Sequence, residues 1–276
     1  MDYDWKYYLD DLKAGKSRIT VTDEDREAAG HIMCRLPEEQ LEQAQRYLYD
    51  MLRSYREQPR ELNAIIDDVM RLHTAYCKKC ESRDILHRRH NAIVYSFMIN
   101  THLSERAVAI KLNTCKEVVR ADKRIAIRDL LVILFGVPAI GGTPDRWTKA
   151  TDSLFKAMRL LPYSVSISQH FPDPKWERER IRCSEITAEI LHCVDKAIQM
   201  YEEYVSGCLT TKDTAERSLE TIRAIFLEEG SRPVVEIAEE WSISKESIYS
   251  YIAMGIRKFS TLFEYMATGR LPDVGA

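Results

Sequence analysis

One pattern of apolar residues occurs twice in this chain of 276 residues, at a constant offset of 129 residues. Ile93 and Phe97 recur as Ile222 and Phe226, and the match continues without a gap to Leu134. Further matched residues are Val108 with Ile237, Ala109 with Ala238, Leu112 with Trp241, Lys116–Glu117 with Lys245–Glu246, Val119 with Ile248 and Arg128 with Arg257. Chance similarity between two helices would explain the apolar spacing alone. The matched Lys–Glu pair and the gapless register favour an internal duplication, which constrains the whole fold.

Apolar residues recur at helical spacing through most of the chain, and only Arg18 to Thr22 alternates in the manner of a strand. The 10 Gly and 9 Pro are too few for a sandwich of many short strands. We therefore predict an all-α fold of two similar helical units, each a long helical hairpin followed by a helix-turn-helix. The expected boundaries are a loosely structured N-terminal lead-in at 1–35, a first unit at 36–136, a linker and irregular segment at 137–175, and a second unit at 176–276.

The composition excludes several classes of protein. A formal net charge of −3 means that any basic surface must be local. The longest apolar run, Leu130 to Ile140, is interrupted by Gly136 and Pro138 and is too short to cross a bilayer. The first residues lack the basic and apolar regions of a signal peptide. Seven Cys at irregular spacing are typical of reduced thiols. These features predict a cytoplasmic protein with no membrane partner.

Each predicted unit ends in the pattern of a helix-turn-helix, at about 104–135 and about 233–266. In the second unit, Ala238 is small where two helices would cross, Ser242 falls at the turn, and Ser244 can cap the longer helix. In the first unit, Asn113 falls at the turn, where its side chain tolerates a left-handed backbone. A helix presented in this way has the dimensions of the DNA major groove.

The outward face of the longer helix supplies the candidate DNA-binding residues. In the first unit they are Lys116, Arg120, Lys123, Arg124 and Arg128, and in the second unit they are Lys245, Tyr249, Ser250, Arg257 and Lys258. From His102 to Gly136 seven basic residues oppose four acidic ones, whereas from Ser231 to Tyr265 four basic residues oppose five acidic ones. The local charge therefore predicts DNA contact by the first unit. For the second unit, DNA contact and contact with a protein partner are both left open.

These motifs resemble known DNA-binding families. Residues 236–249, EIAEEWSISKESIY, are similar to region 4 of bacterial sigma factors, and residues 118–127, VVRADKRIAI, resemble the recognition helix of phage-encoded regulators of the ArpU and RinA type. The resemblance implies an all-helical, sequence-specific regulator of phage genes that works with the host RNA polymerase. The chain departs from those families in carrying two such units and in having Ser242 where region 4 commonly has Gly.

We expect a DNA-binding transcription regulator of phage or prophage genes, with double-stranded DNA and host RNA polymerase as partners and a homodimer left open. One alternative is a sigma-like interaction protein that binds RNA polymerase or another protein without reading DNA. A second alternative is a recognition subunit for phage DNA packaging. No catalytic residue and no cofactor is predicted, because the adjacent acidic pairs on helices point in different directions.

One stretch of the sequence contains residues of the types that bind metal ions. Cys77 and Cys80 have the spacing of a zinc knuckle, and His73 and His87 are near enough in sequence to complete four ligands. On a continuous helix, however, the two cysteines are only neighbours three residues apart, and a second Cys pair is lacking. Ordinary helix cysteines are therefore the favoured interpretation, and no metal ligand is predicted.

Overall fold

The computed structural model of the chain describes residues 3–55, 57, 59, 63–79, 83–99, 103–228 and 232–270. Over these residues the protein is all-helical and has no strand, which confirms the all-α part of the predicted fold class. Arg18 to Thr22, the strand candidate, lies between two helices in turns and irregular backbone. None of the helices in the described ranges combines the length and the apolarity needed to span a membrane.

The α-helices are α1 (Tyr3–Lys13), α2 (Asp23–His31), α3 (Glu38–Ser54), α4 (Ala64–Lys79), α5 (Arg83–Ile93), α6 (Glu105–Lys111), α7 (Lys116–Phe135), α8 (Trp147–Ala157), α9 (Leu161–Ser164), α10 (Pro174–Gly207), α11 (Lys212–Ile222), α12 (Val234–Glu240) and α13 (Lys245–Thr268). A short 3-10 helix covers Val137–Ala139, and single π-helical turns cover Val94–Met98 and Arg223–Leu227.

The chain forms two compact bodies, and each is discontinuous in sequence. Body I consists of Arg35–Gly142 and Arg159–Thr187, and body II consists of Met1–Cys34, Thr143–Met158 and Ala188–Ala276. The sequence predicted continuous units instead, because apolar periodicity identifies helices but does not say which distant helices share a core.

The core of body I is built around the second half of α7. This helix packs against α4, α5, α6 and α9, and its residues Leu130–Phe135 are buried. The backbone leaves the helix at Gly136, whose φ of 57° suits Gly and where a Cβ would clash with the hydroxyl of Thr187. Val137 and Ile140 follow as buried residues, although the sequence predicted a linker from residue 137 onward. Their apolar side chains complete the core of body I.

The core of body II is built along α13, which packs against α2, α8, α11 and α12. Phe155 of α8 stacks on Phe226 and meets Phe259 of α13 edge to face, with ring centroids 5.1 Å apart. The predicted lead-in also belongs to this core, since Trp5 and Leu9 of α1 are buried. Sequence reading missed α1 and α2 because their buried faces are short and rely on aromatic and small side chains.

Matched elements occur in the two bodies at the offset found in the sequence. We call α5 to α7 segment I and α11 to α13 segment II. The pairs α5 and α11, the two π-helical turns, and α6 and α12 begin and end 129 residues apart, and α7 and α13 begin 129 residues apart. A π-helical turn is rare in proteins. The recurrence of this rare turn at the same offset is therefore stronger evidence for the similarity of the two segments than the recurrence of an α-helix.

Candidate nucleic-acid interface

A tight turn joins the short helix α6 to the longer helix α7 in segment I. Ser104 caps α6 by accepting a hydrogen bond of 3.2 Å from the backbone N–H of Ala107. Asn113 occupies the turn at φ 49°, as its side-chain type predicted. The backbone N–H of Thr114 then donates to the carbonyl of Ala109 at 2.9 Å, which closes the turn.

Segment II repeats this turn with different side chains. Ser242 has φ 53° at the position equivalent to Asn113, and the backbone N–H of Ile243 donates to the carbonyl of Ala238 at 3.0 Å. Ser244 caps α13 by accepting a hydrogen bond of 3.1 Å from the N–H of Ser247, as its type and position predicted. The two turns therefore share one backbone conformation.

Small apolar clusters fix the two helices of each motif against one another. In segment I, Val108 and Ala109 of α6 pack with Val119 of α7. In segment II the equivalent residues Ile237, Ala238 and Ile248 form the same arrangement with two residues of the preceding π-helical turn. Since these residues face inward, helical geometry turns the intervening residues of α7 and α13 outward.

The outward face of α7 carries a line of cations. Lys116, Arg120, Arg124 and Arg128 are all exposed and follow one another four residues apart, so they lie on one side of the helix. We call these four residues the basic ridge. The predicted residues of segment I are therefore brought together on one surface, with the exception of Lys123.

Glu105 of α6 pairs with several of these cations. Its Oε2 accepts a hydrogen bond of 2.8 Å from Nε of Arg120 and lies 4.0 Å from Nζ of Lys116, while its Oε1 accepts one of 3.0 Å from Nζ of Lys123. The hydrogen bond from Lys123 is the main cause that lowers the pKa of the Glu105 carboxyl. Sequence reading missed Glu105, because it lies 15 residues before Arg120 on another helix.

The two partners of Glu105 differ in how freely they can leave it. The side chain of Lys123 is only 17% exposed, so it is placed to hold Glu105 rather than to reach a ligand. The side chain of Arg120 is 56% exposed. Exposed ion pairs contribute only about 0–1 kcal/mol, so the guanidinium of Arg120 can exchange Glu105 for another anion at small cost.

Arg124 and Arg128 have no ion pair with any residue that the structure describes. The guanidinium of Arg128 lies beside the backbone of Gly141, where an added Cβ would be 3.1 Å from its Nη2.

Arg88 and Arg89 on α5 are basic residues that do not join the ridge. Both lie beside the buried carboxylate of Asp122, and the hydrogen bond of 2.6 Å from Arg88 raises the pKa of that arginine. These two arginines therefore fasten α5 to α7 instead of adding to the basic ridge.

The predicted residues of segment II present a different surface. Four of these residues are exposed, namely Lys245, Tyr249, Ser250 and Arg257. Tyr249 is 58% exposed. The hydroxyl of Ser250 donates to the carbonyl of Glu246 at 3.0 Å, within the helix itself. At the positions of Arg120 and Arg124, segment II has Tyr249 and Ala253. The outward face of α13 is thus much less basic than that of α7.

Lys258 is a correction to the predicted set, because it is buried and only 6% exposed. Its ammonium donates a hydrogen bond of 2.6 Å to the hydroxyl of Tyr204 and lies 5.2 Å from the ring centroid of Trp5. Aromatic rings stabilise a cation in such a cage. Lys258 is four residues before Leu262 on the inward face of α13, so it cannot contact DNA.

One cluster of side chains in body I has the composition of a metal site. His73 and Cys77 on α4 and His90 on α5 place their ligand atoms within 4.8 Å of one another. The sequence pointed to Cys77 and His73 but paired them with His87 and Cys80. The structure brings His90 to the cluster instead, and Cys80 lies outside the described residues.

Comparison with known proteins adds no relative to this picture. No model of a protein family matches the chain, and no curated protein or solved structure matches it significantly.

Proposed function

We propose that the protein is a sequence-specific DNA-binding regulator of transcription, with segment I as its reading module. The observation that carries this proposal is the basic ridge, which is exposed along the outward face of α7. Helices held in this way enter the major groove with their first turns against the base edges. A local concentration of cations in an otherwise acidic chain is the electrostatic pattern expected of a nucleic-acid contact.

The position of each cation along α7 suggests its role. Lys116 and Arg120 lie in the first two turns, where a recognition helix meets base edges. Arg120 can grip a guanine through two hydrogen bonds, and Glu105 holds its guanidinium outward before DNA arrives. Arg124 and Arg128 lie further along the helix, where contacts to phosphates are the common use of arginine. These phosphate contacts would set register and affinity rather than sequence preference.

Segment II supports a second role, which is contact with a protein. Its exposed residues include Tyr249 and four glutamates, at positions 236, 239, 240 and 246. A phosphate backbone repels such a surface, whereas an exposed tyrosine is typical of protein interfaces. The likeness of residues 236–249 to sigma region 4 makes RNA polymerase the partner that we propose for segment II.

The same likeness, together with that of residues 118–127 to phage regulators, is the basis for proposing phage or prophage genes as the target. Two alternatives predict different results. A sigma-like interaction protein would bind RNA polymerase with the basic ridge removed and would select no DNA sequence. A packaging subunit would select a sequence that lies beside a packaging start site rather than a promoter.

The decisive experiment is selection of double-stranded DNA from a random library with the full chain, followed by the same selection with the Arg120→Ala variant. We expect an enriched motif with the unchanged protein and a relaxed motif with the variant. Failure of the unchanged protein to enrich any motif would refute sequence-specific binding. The Arg46→Ala variant is a matched control, since Arg46 is also exposed and paired with a glutamate, Glu42, but belongs to α3 and not to the basic ridge.

A further inference from the structure

The cluster of His73, Cys77 and His90 lies between two helices of body I. His73 and Cys77 are four residues apart on α4 and therefore share one face of that helix. His90 approaches them from α5, and its Nδ1 is 3.1 Å from Nδ1 of His73. His73 and Cys77 are fully buried, and His90 is half-buried.

The hydrogen bonds of His90 fix which of its nitrogens carries the proton. Thr74 donates its hydroxyl proton to the carbonyl of Met70 at 2.8 Å, so its oxygen must accept from Nε2 of His90, which is 3.2 Å away. As a neutral ring, His90 then carries its proton on Nε2 and none on Nδ1. The Nδ1 atom of His90 therefore turns a lone pair toward His73.

His73 cannot satisfy both of its nitrogens as a neutral ring. Its Nε2 is buried without a hydrogen-bond partner in the described part of the chain and lies 3.9 Å from a carboxylate oxygen of Asp129. If the proton is on Nδ1, a lone pair on Nε2 faces that carboxylate. If the proton is on Nε2, two lone pairs face each other across 3.1 Å at the Nδ1 atoms. A protonated His73 would meet both contacts only by placing a charge in the core, beyond hydrogen-bond distance from Asp129.

A metal ion between the two Nδ1 atoms and the sulfur of Cys77 removes this conflict. Both lone pairs would then be ligands, the Nε2–H of His73 would point toward Asp129, and the Nε2–H of His90 would remain on Thr74. This is the usual state of metal-binding histidines, whose second nitrogen is held by a carboxylate or another acceptor. In the structure the thiol of Cys77 lies 3.6 Å from the carbonyl of Leu86, and metal binding would require it to lose its proton.

We propose that His73, Cys77 and His90 form a binding site for a zinc-type divalent metal ion. Two imidazole nitrogens and one thiolate are the ligands that zinc prefers. In a tetrahedral zinc site, ligand atoms lie roughly 3.3–3.6 Å apart. The two Nδ1 atoms, 3.1 Å apart, are already near this spacing, and the ligand atom of Cys77 lies within 4.8 Å of those of both histidines. The bound ion would fasten α4 to α5, and α5 in turn packs against α7.

The test uses the full chain, stripped of metal by a chelator and then titrated with Co(II) and, separately, with Zn(II). We expect a single Co(II) ion per chain, with the thiolate-to-cobalt charge-transfer absorption and the intense visible bands of a tetrahedral site. Zn(II) should displace the cobalt and raise the unfolding temperature. Cys77→Ser should abolish the charge-transfer band, because it removes the thiolate. His90→Gln should abolish the rise in unfolding temperature, because it removes a ligand of the ion. Asp129→Asn should weaken binding on the order of 10–100-fold, because Asp129 acts through His73.

Two control variants separate this site from adventitious binding. Cys193→Ser removes another buried thiol, which is in body II, and His170→Gln removes an exposed imidazole. Both should bind cobalt as the unchanged chain does. The proposal is overturned if the metal-free chain takes up no Co(II), or if Cys77→Ser and His90→Gln, shown to be folded by circular dichroism, keep the same spectrum and affinity. DNA binding plays no part in these readouts, so the outcome is independent of the proposed function.

Discussion

The Nε atom of Arg120 on α7 donates a hydrogen bond of 2.8 Å to Oε2 of Glu105 on α6. This contact spans the turn of segment I and holds the guanidinium at the outer surface. The less exposed Lys123 donates a hydrogen bond to the other oxygen of the same carboxylate, and this second contact restrains the position of Glu105. Arg120 is therefore oriented before any ligand arrives, and orientation of this kind reduces the entropy lost on binding.

Glu105→Gln should strengthen binding to random double-stranded DNA by about two- to fivefold at low salt, which corresponds to an exposed pair of about 0.5–1 kcal/mol. The substitution removes a negative charge that competes with phosphates for the two exposed cations Lys116 and Arg120. Fluorescence anisotropy over a series of salt concentrations measures the effect. Glu42→Gln on α3 is the control, because Glu42 pairs with Arg46 and not with a residue of the basic ridge. Equal affinities of the unchanged chain and Glu105→Gln would place Glu105 outside the DNA interface.

Arg120→Ala should weaken the selected specific site by about 1–3 kcal/mol, the range measured for a two-hydrogen-bond contact to a base. Affinity for random DNA should change much less, so the ratio of specific to random affinity falls. Competition binding against single-base variants of the selected site would identify the base pair that loses discrimination. An equal loss on specific and random DNA would assign Arg120 to a phosphate instead.

Arg124→Ala should weaken specific and random DNA to the same extent. Loss of one phosphate contact reduces the slope of log affinity against log salt concentration by about 0.9. The slopes of the unchanged chain and the variant, measured on one random duplex, give this difference directly. An unchanged slope together with a relaxed sequence preference would mean that Arg124 contacts a base.

The parts of the site that sequence predicted are those that depend on neighbouring residues. Asn113 and Ser244 act through their own backbone and that of the next few residues, so their residue types were sufficient evidence. The exposure of the basic ridge also follows from helical periodicity, because Val119 fixes the inward direction of α7.

The parts that sequence could not predict depend on residues far away in the chain. Lys258 is buried because Trp5 and Tyr204 surround its ammonium. The residues next to Lys258 in the sequence do not indicate that these distant rings will pack there. His90, rather than His87, joins His73 because α5 folds back along α4. Local patterns determine helices and turns, whereas the partners of a buried polar side chain are set by tertiary packing.

Tyr249→Ala should leave the affinity for the selected DNA site within about twofold and should lose about 2 kcal/mol or more of binding to purified bacterial RNA polymerase, as is typical of an aromatic hot spot. Tyr7→Ala is a matched control, since Tyr7 on α1 is 54% exposed and Tyr249 is 58% exposed. Surface-bound polymerase and both variants in solution give the comparison. A loss of DNA affinity with polymerase binding retained would show that segment II contacts DNA instead.

The carboxylate of Asp4 links α1 to the residues before α11. It also makes the stability of the fold depend on pH in the acidic range. Its Oδ2 accepts hydrogen bonds of 2.9 and 3.0 Å from the backbone N–H groups of Thr210 and Thr211, and it also accepts from both threonine hydroxyls. The backbone hydrogen bond from Thr210 is the main cause that lowers the pKa of Asp4 to about 2.

Because the pKa of Asp4 is lower in the folded chain than in the unfolded chain, its contribution to stability is present above about pH 4 and is lost as the pH falls toward 2. The side chain of Asn does not take up a proton in this range. The unfolding temperature of Asp4→Asn should therefore fall less steeply between about pH 4 and pH 2 than that of the unchanged chain. Calorimetry at several pH values measures both slopes. Asp10→Asn, an exposed carboxylate on the same helix, should keep the steep slope of the unchanged chain. If Asp4→Asn kept that slope as well, acid sensitivity would have to arise from carboxylates other than the one beside Thr210.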